Sequence, residues 1–140
     1  MNYPFLSLQG LRILVVDSDL DSRDLLKMVF EEYGIETFVT VSVLEALEIV
    51  QRVKPDLLIS EIGLPNEDGY SLMRHIKSLK NRRQAPIPAI ALTTYPRKCD
   101  RDRALSAGFN EYLPKPFDID ELISTIACLT RSQGVPIPCL

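Results

Sequence analysis

With 140 residues, 46% of them hydrophobic and 25% charged, the chain has the length and apolar content of one globular domain with a core, and no room for a second. Its formal charge of −3 lacks the basic excess that a phosphate-backbone binder needs, and no Lys/Arg run follows one segment, which argues against direct nucleic-acid binding. The N-terminus shows no basic region followed by a long apolar run, and no stretch is long enough to cross a bilayer, so a cytoplasmic protein away from the membrane is expected. Cys99, Cys128 and Cys139 are odd in number and scattered; they read as idle thiols rather than a disulfide framework or a zinc site.

Short apolar runs alternate along the chain with helix-period segments, the pattern of a parallel sheet covered by helices on both faces. The first run, Ile13 to Val16, precedes a helix whose Leu26, Val29, Phe30 and Tyr33 form an i, i+3, i+4, i+7 stripe closed by Gly34. Ile35 to Val41 is β-branched and aromatic-rich. Ser42 with Glu45 then predicts a capping box ahead of the stripe Val43, Ala46, Leu47, Val50, with Pro55 marking the exit. Leu57 to Ile62 is nearly all apolar, as a central strand should be, and the loop from Gly63 to Gly69 separates it from a helix carrying Leu72, Ile76 and Leu79. Ile87 to Leu92, entered through Pro86 and Pro88, is a fourth strand, and a short charged helix from Asp100 to Ser106 ends at Ala107-Gly108. A fifth strand near Glu111 to Leu113 leads through Lys115-Pro116 to Asp118, a good N-cap for a helix burying Ile119, Leu122, Ile123 and Ile126. Residues 1–131 are therefore read as the domain and 132–140 as a flexible tail.

Five β-α repeats with right-handed crossovers make an α/β doubly wound sheet, whose functional crevice lies outside the carboxyl ends of the strands. At those ends stand Asp17-Ser18-Asp19, Glu61, Thr93-Thr94 and Lys115. Acid oxygens suit a hard cation such as Mg²⁺, while a hydroxyl and an ammonium suit the oxygens of a phosphoryl group.

Five strings in order, Leu14-Val15-Val16-Asp17, Pro55 to Ile59, Leu64-Pro65-x-x-Asp68-Gly69, Ala91-Leu92-Thr93, and Ala107-Gly108-Phe109 through Tyr112-Leu113-Pro114-Lys115-Pro116-Phe117, resemble the response-regulator receiver domains of two-component signalling across about residues 10–131. The resemblance implies a flavodoxin-like fold with five parallel strands in the order 2-1-3-4-5. It also implies phosphoryl transfer from a histidine kinase or a phosphotransfer protein to an aspartate at the end of the third strand. By the same carry-over Thr93 and Lys115 bind the phosphoryl group, Thr93 and Tyr112 form the switch, Pro116 follows a cis peptide bond, and Asp17, Ser18, Glu61 and Gly63 occupy the metal-binding positions. The fourth helix, fifth strand and fifth helix provide the output face for a kinase, phosphotransfer or effector protein.

The chain departs from the family where the chemistry sits. Glu61 stands at the acceptor position, and the acidic pair after the first strand has become Asp17-Ser18. A glutamate carboxylate lies ~1.5 Å further out than an aspartate's, more than in-line attack tolerates. Ser18 replaces a charged ligand by a neutral hydroxyl, so Mg²⁺ binding should be weak or lost, and Asp19 is better suited to cap the first helix than to supply the missing ligand. The leading reading is a non-enzymatic pseudo-receiver, independent of phosphorylation, in which Glu61 extends negative charge toward Thr93 and Lys115 as a partial phosphoryl imitation. Beside it stand an inert Glu61–Lys115 salt bridge, and a conventional phosphoacceptor with weakened Mg²⁺-dependent chemistry at Glu61, Asp56 or Asp68. His75 and the mixed-sign stretch Arg97 to Arg103 read as solvated surface.

Overall fold

The computed structural model describes residues 8–64, 68–79, 87–94 and 98–130. The reading of the C-terminal tail, and the loop positions Pro65, Asn66, Glu67 and Pro86, lie outside the described residues. The elements run β1 (Arg12–Val16), α1 (Leu20–Glu32), β2 (Glu36–Thr40), α2 (Val43–Val53), β3 (Leu57–Glu61), α3 (Gly69–Ser78), β4 (Ala89–Thr93), α4 (Lys98–Ala107), β5 (Glu111–Pro114) and α5 (Ile119–Thr130). All strand pairs are parallel, in the order β2-β1-β3-β4-β5, the doubly wound flavodoxin-like arrangement.

Strand residues alternate between two cores, because successive side chains point to opposite faces of a sheet. Ile13, Val15, Leu57, Ile59, Ile90, Leu92 and Leu113 pack with Leu26 and Phe30 of α1 and Leu122, Ile123 and Ile126 of α5. Leu14, Val16, Leu58, Ala89 and Ala91 pack with Val43, Ala46, Ile49 and Val50 of α2, Leu72 and Met73 of α3, and Ala104 of α4. Both faces of the three central strands are thus apolar, while β2, at the edge, is only partly covered.

Local chemistry sets the helix ends. Asp19 caps α1, accepting from the Asp21 N–H at 3.1 Å and the Ser22 hydroxyl at 3.0 Å. Ser42 caps α2 by accepting from the Glu45 N–H at 3.1 Å. The reciprocal half of the predicted capping box does not form: Glu45 takes the Thr40 hydroxyl instead, and Thr40 Oγ1 accepts from the Ser42 N–H at 3.1 Å. The end of β2 therefore supplies the group that a capping box would draw from the helix itself. Asp118 accepts from the Asp120 N–H at 2.8 Å at the start of α5. Cys128 on α5 is disulfide-bonded, which corrects the idle-thiol expectation for that residue.

Candidate functional site

Strand parity decides which side chains meet. The ladder continues one residue beyond β1 and β5, because Asp17 N donates to Thr40 O at 3.0 Å and Lys115 N to Thr93 O at 2.7 Å. Asp17 therefore shares the parity of Ile13 and Val15, Glu61 that of Leu57 and Ile59, and Lys115 that of Leu113. All three leave the sheet on the side of α1 and α5, at its carboxyl edge. The Lys115–Pro116 peptide at this edge is cis.

Lys115 Nζ lies 2.8 Å from Asp17 Oδ2 and 3.5 Å from Glu61 Oε2. Asp17 is fully buried, and the side chains of Glu61 and Lys115 are only 11% and 12% exposed. The other Asp17 oxygen accepts from the Asp19 N–H at 2.8 Å, and the Arg23 guanidinium donates to the Asp17 carbonyl at 2.7 Å. Glu61 Oε1 accepts twice from Ser18, from its N–H at 2.9 Å and from its hydroxyl at 2.8 Å. The four residues form a closed network: one ammonium between two carboxylates, and one of those carboxylates tied to the β1–α1 loop.

Two carboxylates facing one cation leave a residual negative charge where water is scarce. Burial pushes the Asp17 carboxyl above its ordinary 3.8 and the Glu61 charge adds to the rise; the Lys115 ammonium and the Asp19 N–H oppose both without cancelling them. Asp19 moves the other way, lowered chiefly by the Ser22 hydroxyl.

Thr93 ends β4 with the parity of Ala89 and Ala91, which face the other layer. Glu61 makes no bond to it: its oxygens are engaged by Ser18 and Lys115, so the expected reach toward Thr93 is not made while the reach toward Lys115 is. Tyr112 packs against the α2–α3–α4 core with its hydroxyl buried and without a hydrogen-bond partner among the described residues. Gly63 lies in the loop after β3 with open space around it. Asp56 and Asp68 are far from the network's chemistry: Asp56 accepts from the Arg12 N–H at 2.9 Å at the start of β1, and Asp68 caps α3 through the Ser71 N–H at 2.9 Å.

Arg23 belongs to the site but lies in no sequence motif, and Gly69, which closes the Leu64-Pro65-x-x-Asp68-Gly69 string, belongs to it in a role that the string does not reveal. Gly69 N donates to Ile62 O at 2.8 Å. A Cβ on Gly69 would lie 2.7 Å from Glu61 O and 3.2 Å from Ile62 Cα, so the α3 start can approach the end of β3 only as glycine.

The donor set does not fit a divalent cation as it stands. Asp17 Oδ2 and Glu61 Oε2 face an ammonium, Glu61 Oε1 faces two hydrogen-bond donors, and Mg²⁺ demands free oxygens in near-octahedral array. Among the described residues no group of three or more His, Cys, Asp or Glu could hold a metal ion.

The chain belongs to the response regulator receiver domain family, whose model matches residues 13–127. It is 42% identical over 120 residues to an uncharacterized 14.6 kDa protein encoded in the sodA1 3′ region of Leptolyngbya boryana, a match covering 86% of this chain and 90% of the relative. It is 34% identical over 121 residues to the response regulator MprA of Mycobacterium leprae, and that match spans 86% of this chain but only 51% of the longer relative. Among solved structures, the receiver domain of the Francisella response regulator 1452 aligns with a TM-score of 0.79 at 30% identity, over 89% of this chain and all of that one (100%). The receiver domain of the Saccharomyces cerevisiae response regulator Ssk1, crystallised with the histidine phosphotransfer protein Ypd1, aligns with a TM-score of 0.83 over 91% of this chain and 94% of that one. At 22% identity that likeness is one of fold.

Proposed function

We propose that this receiver domain signals by protein–protein interaction without accepting a phosphoryl group, with Glu61 at the acceptor position and no enzymatic activity of its own. Receiver domains in general hold Mg²⁺ in an acidic pocket and exchange phosphoryl groups with histidine kinases or phosphotransfer proteins. The observation that carries the present reading is the engagement of Glu61: Ser18 holds one oxygen, Lys115 faces the other, and Lys115 is itself drawn to Asp17. A nucleophile needs a free oxygen aligned for in-line attack, and a phosphoryl group needs a cation not already shared by two carboxylates. Asp56 and Asp68 offer no substitute acceptor, since each is occupied elsewhere by backbone N–H groups.

On this reading the partner is a histidine kinase, a phosphotransfer protein or an effector, bound in the cytoplasm through the face made by α4, β5 and α5. No helix among the described residues is long and apolar enough to cross a membrane, and the net charge of −3 gives no basis for nucleic-acid binding. The test is intact-mass spectrometry after incubation with Mg²⁺ and a small acyl-phosphate donor. The wild type should gain no phosphoryl adduct, and Ser18→Asp/Glu61→Asp should gain one. An adduct on the wild type returns the protein to conventional phosphotransfer.

A further inference from the structure

α3 and α4 do not close on each other. The face of α4 turned to α3 sets Arg103 beside small residues: Ala104 is buried, and Ser106 and Ala107 line the gap. The gap is a cavity of about 350 Å³, open to solvent and lined by Tyr70, Arg74, Lys77, Arg103, Ser106 and Ala107. Tyr70, Arg74 and Lys77 recur at i, i+4 and i+7 of α3, and Arg103, Ser106 and Ala107 at i, i+3 and i+4 of α4, so each helix gives one stripe to the groove.

Three cations rim this groove in a chain whose net charge is negative. Arg103 lies over the Tyr70 ring, its guanidinium carbon 4.2 Å from the centroid. Stacking of this kind uses the face of the guanidinium and leaves its N–H edge open to an acceptor. The Lys77 chain lies across Gly108, where a Cβ would overlap its end, and φ of +116° at Gly108 likewise selects glycine. Arg74 and Lys77 form no ion pair among the described residues. Acidic groups stand near Tyr70: its hydroxyl donates to the Asp100 carbonyl at 3.4 Å, and the Asp100 and Asp68 charges act on it.

We infer that the α3–α4 groove is a docking site for an acidic, amphipathic peptide segment of a partner protein. The cations are exposed and spread along both rims, whereas a site for a small anion has convergent, sheltered donors. A peptide exploits both parts of the groove: an apolar side chain seats on Ala107 and the methylene stems of the flanking cations, above a Tyr70 ring that is itself buried under Arg103, and carboxylates on either side meet Arg74, Lys77 and Arg103. This deepens the interaction-module reading by naming a surface beside the output face, with α4 common to both. The acyl-phosphate test does not touch it, so the two can fail separately.

The experiment is amide chemical-shift mapping on the ¹⁵N-labelled full chain, titrated with a short peptide in which Glu alternates with Leu and Phe. Shifts should be confined to α3, α4 and Gly108, and affinity should fall as salt is raised. Arg74→Glu/Lys77→Glu, both at exposed positions that leave the core intact, should weaken binding roughly tenfold or more. The same variant should bind a peptide with Lys in place of Glu better than the wild type does. Shifts elsewhere on the surface, an affinity unmoved by the charge reversal, or equal shifts produced by inorganic phosphate alone would each overturn the proposal.

Discussion

Replacing Ser18 with Asp tests whether the closed network is what keeps Glu61 in place. The wild-type hydroxyl donates to Glu61 Oε1 at 2.8 Å, and losing a hydrogen bond to a charged acceptor costs about 1.5–3 kcal/mol. The new carboxylate would face Glu61 across a similar gap. Two like charges about 4 Å apart repel by about 4 kcal/mol at an effective dielectric of 20, an upper figure here because Ser18 is exposed and Lys115 stands nearby. A net loss of about 2–3 kcal/mol corresponds to a fall of roughly 5–10 °C in Tm for a domain of this size. Thermal and urea unfolding of Ser18→Asp in chelator measure it directly, with Ser18→Ala as the control that removes the hydroxyl donor and adds no charge, costing about 1.5 kcal/mol, the low end of that range because Ser18 is exposed. With a third carboxylate in place of the hydroxyl donor the site comes closer to a cation site, so adding Mg²⁺ should restore part of the loss in Ser18→Asp and leave the wild type unmoved. Equal stability of Ser18→Asp and wild type in chelator would refute the reasoning, because it would mean that Glu61 does not depend on Ser18.

Gly69→Ala places a methyl 2.7 Å from Glu61 O, against backbone that cannot yield, and should cost about 2–3 kcal/mol by chemical denaturation. Burial holds the Asp17 carboxyl above 3.8, so the folded chain takes up this proton before the unfolded chain does. Ionised Asp17 is then a cost at neutral pH that is relieved as pH falls through its folded pKa toward 3.8. Asp17→Asn, which keeps an acceptor for the Asp19 N–H, should therefore raise stability at pH 7 by about 1 kcal/mol and lose that advantage by pH 3.8, as read from Tm against pH. Tyr112→Phe removes a buried hydroxyl without a hydrogen-bond partner among the described residues and should leave stability unchanged or raise it by up to about 1 kcal/mol.

The strand positions and their order were legible because five apolar runs separated by helix-period stripes allow few topologies. Observed strands depart from the predicted runs by only a residue or two, as Ile13 to Val16 against Arg12–Val16 shows. Convergence of Asp17, Glu61 and Lys115 was legible for the same reason: each closes a strand. The partners inside the site were not. Ser18 and Glu61 are far apart in sequence, and only the spacing of β1 and β3 brings an N–H and a hydroxyl onto one glutamate oxygen. Gly69 shows its purpose only when the approach of α3 to the β3 end is known, since its φ is one that other residues adopt. The capping box misled at Glu45 because Thr40, a strand residue, competes for the same carboxylate.

On the reading proposed above, the Ser18–Glu61 pairing also separates two roles that Glu61 can play at the acceptor position. A glutamate acting as an imitation phosphoryl group has to bring its charge to Thr93 and through it to Tyr112, whereas a glutamate acting as a strut spends its oxygens on the neighbouring loop. The distances favour the strut: Ser18 at 2.8 and 2.9 Å is nearer than Lys115 at 3.5 Å. Glu61→Gln distinguishes them because it keeps an acceptor for Ser18 and removes only the charge. Without that charge, one of the causes raising the Asp17 pKa is gone, so the Asp17 carboxyl should titrate lower than in the wild type when followed by ¹³C NMR. Chemical-shift changes should stay within Asp17, Ser18, position 61 and Lys115. Changes reaching Thr93, Tyr112 and α4 would mean instead that the Glu61 charge acts across the sheet edge, and the imitation would then be the better description of how this receiver holds its state.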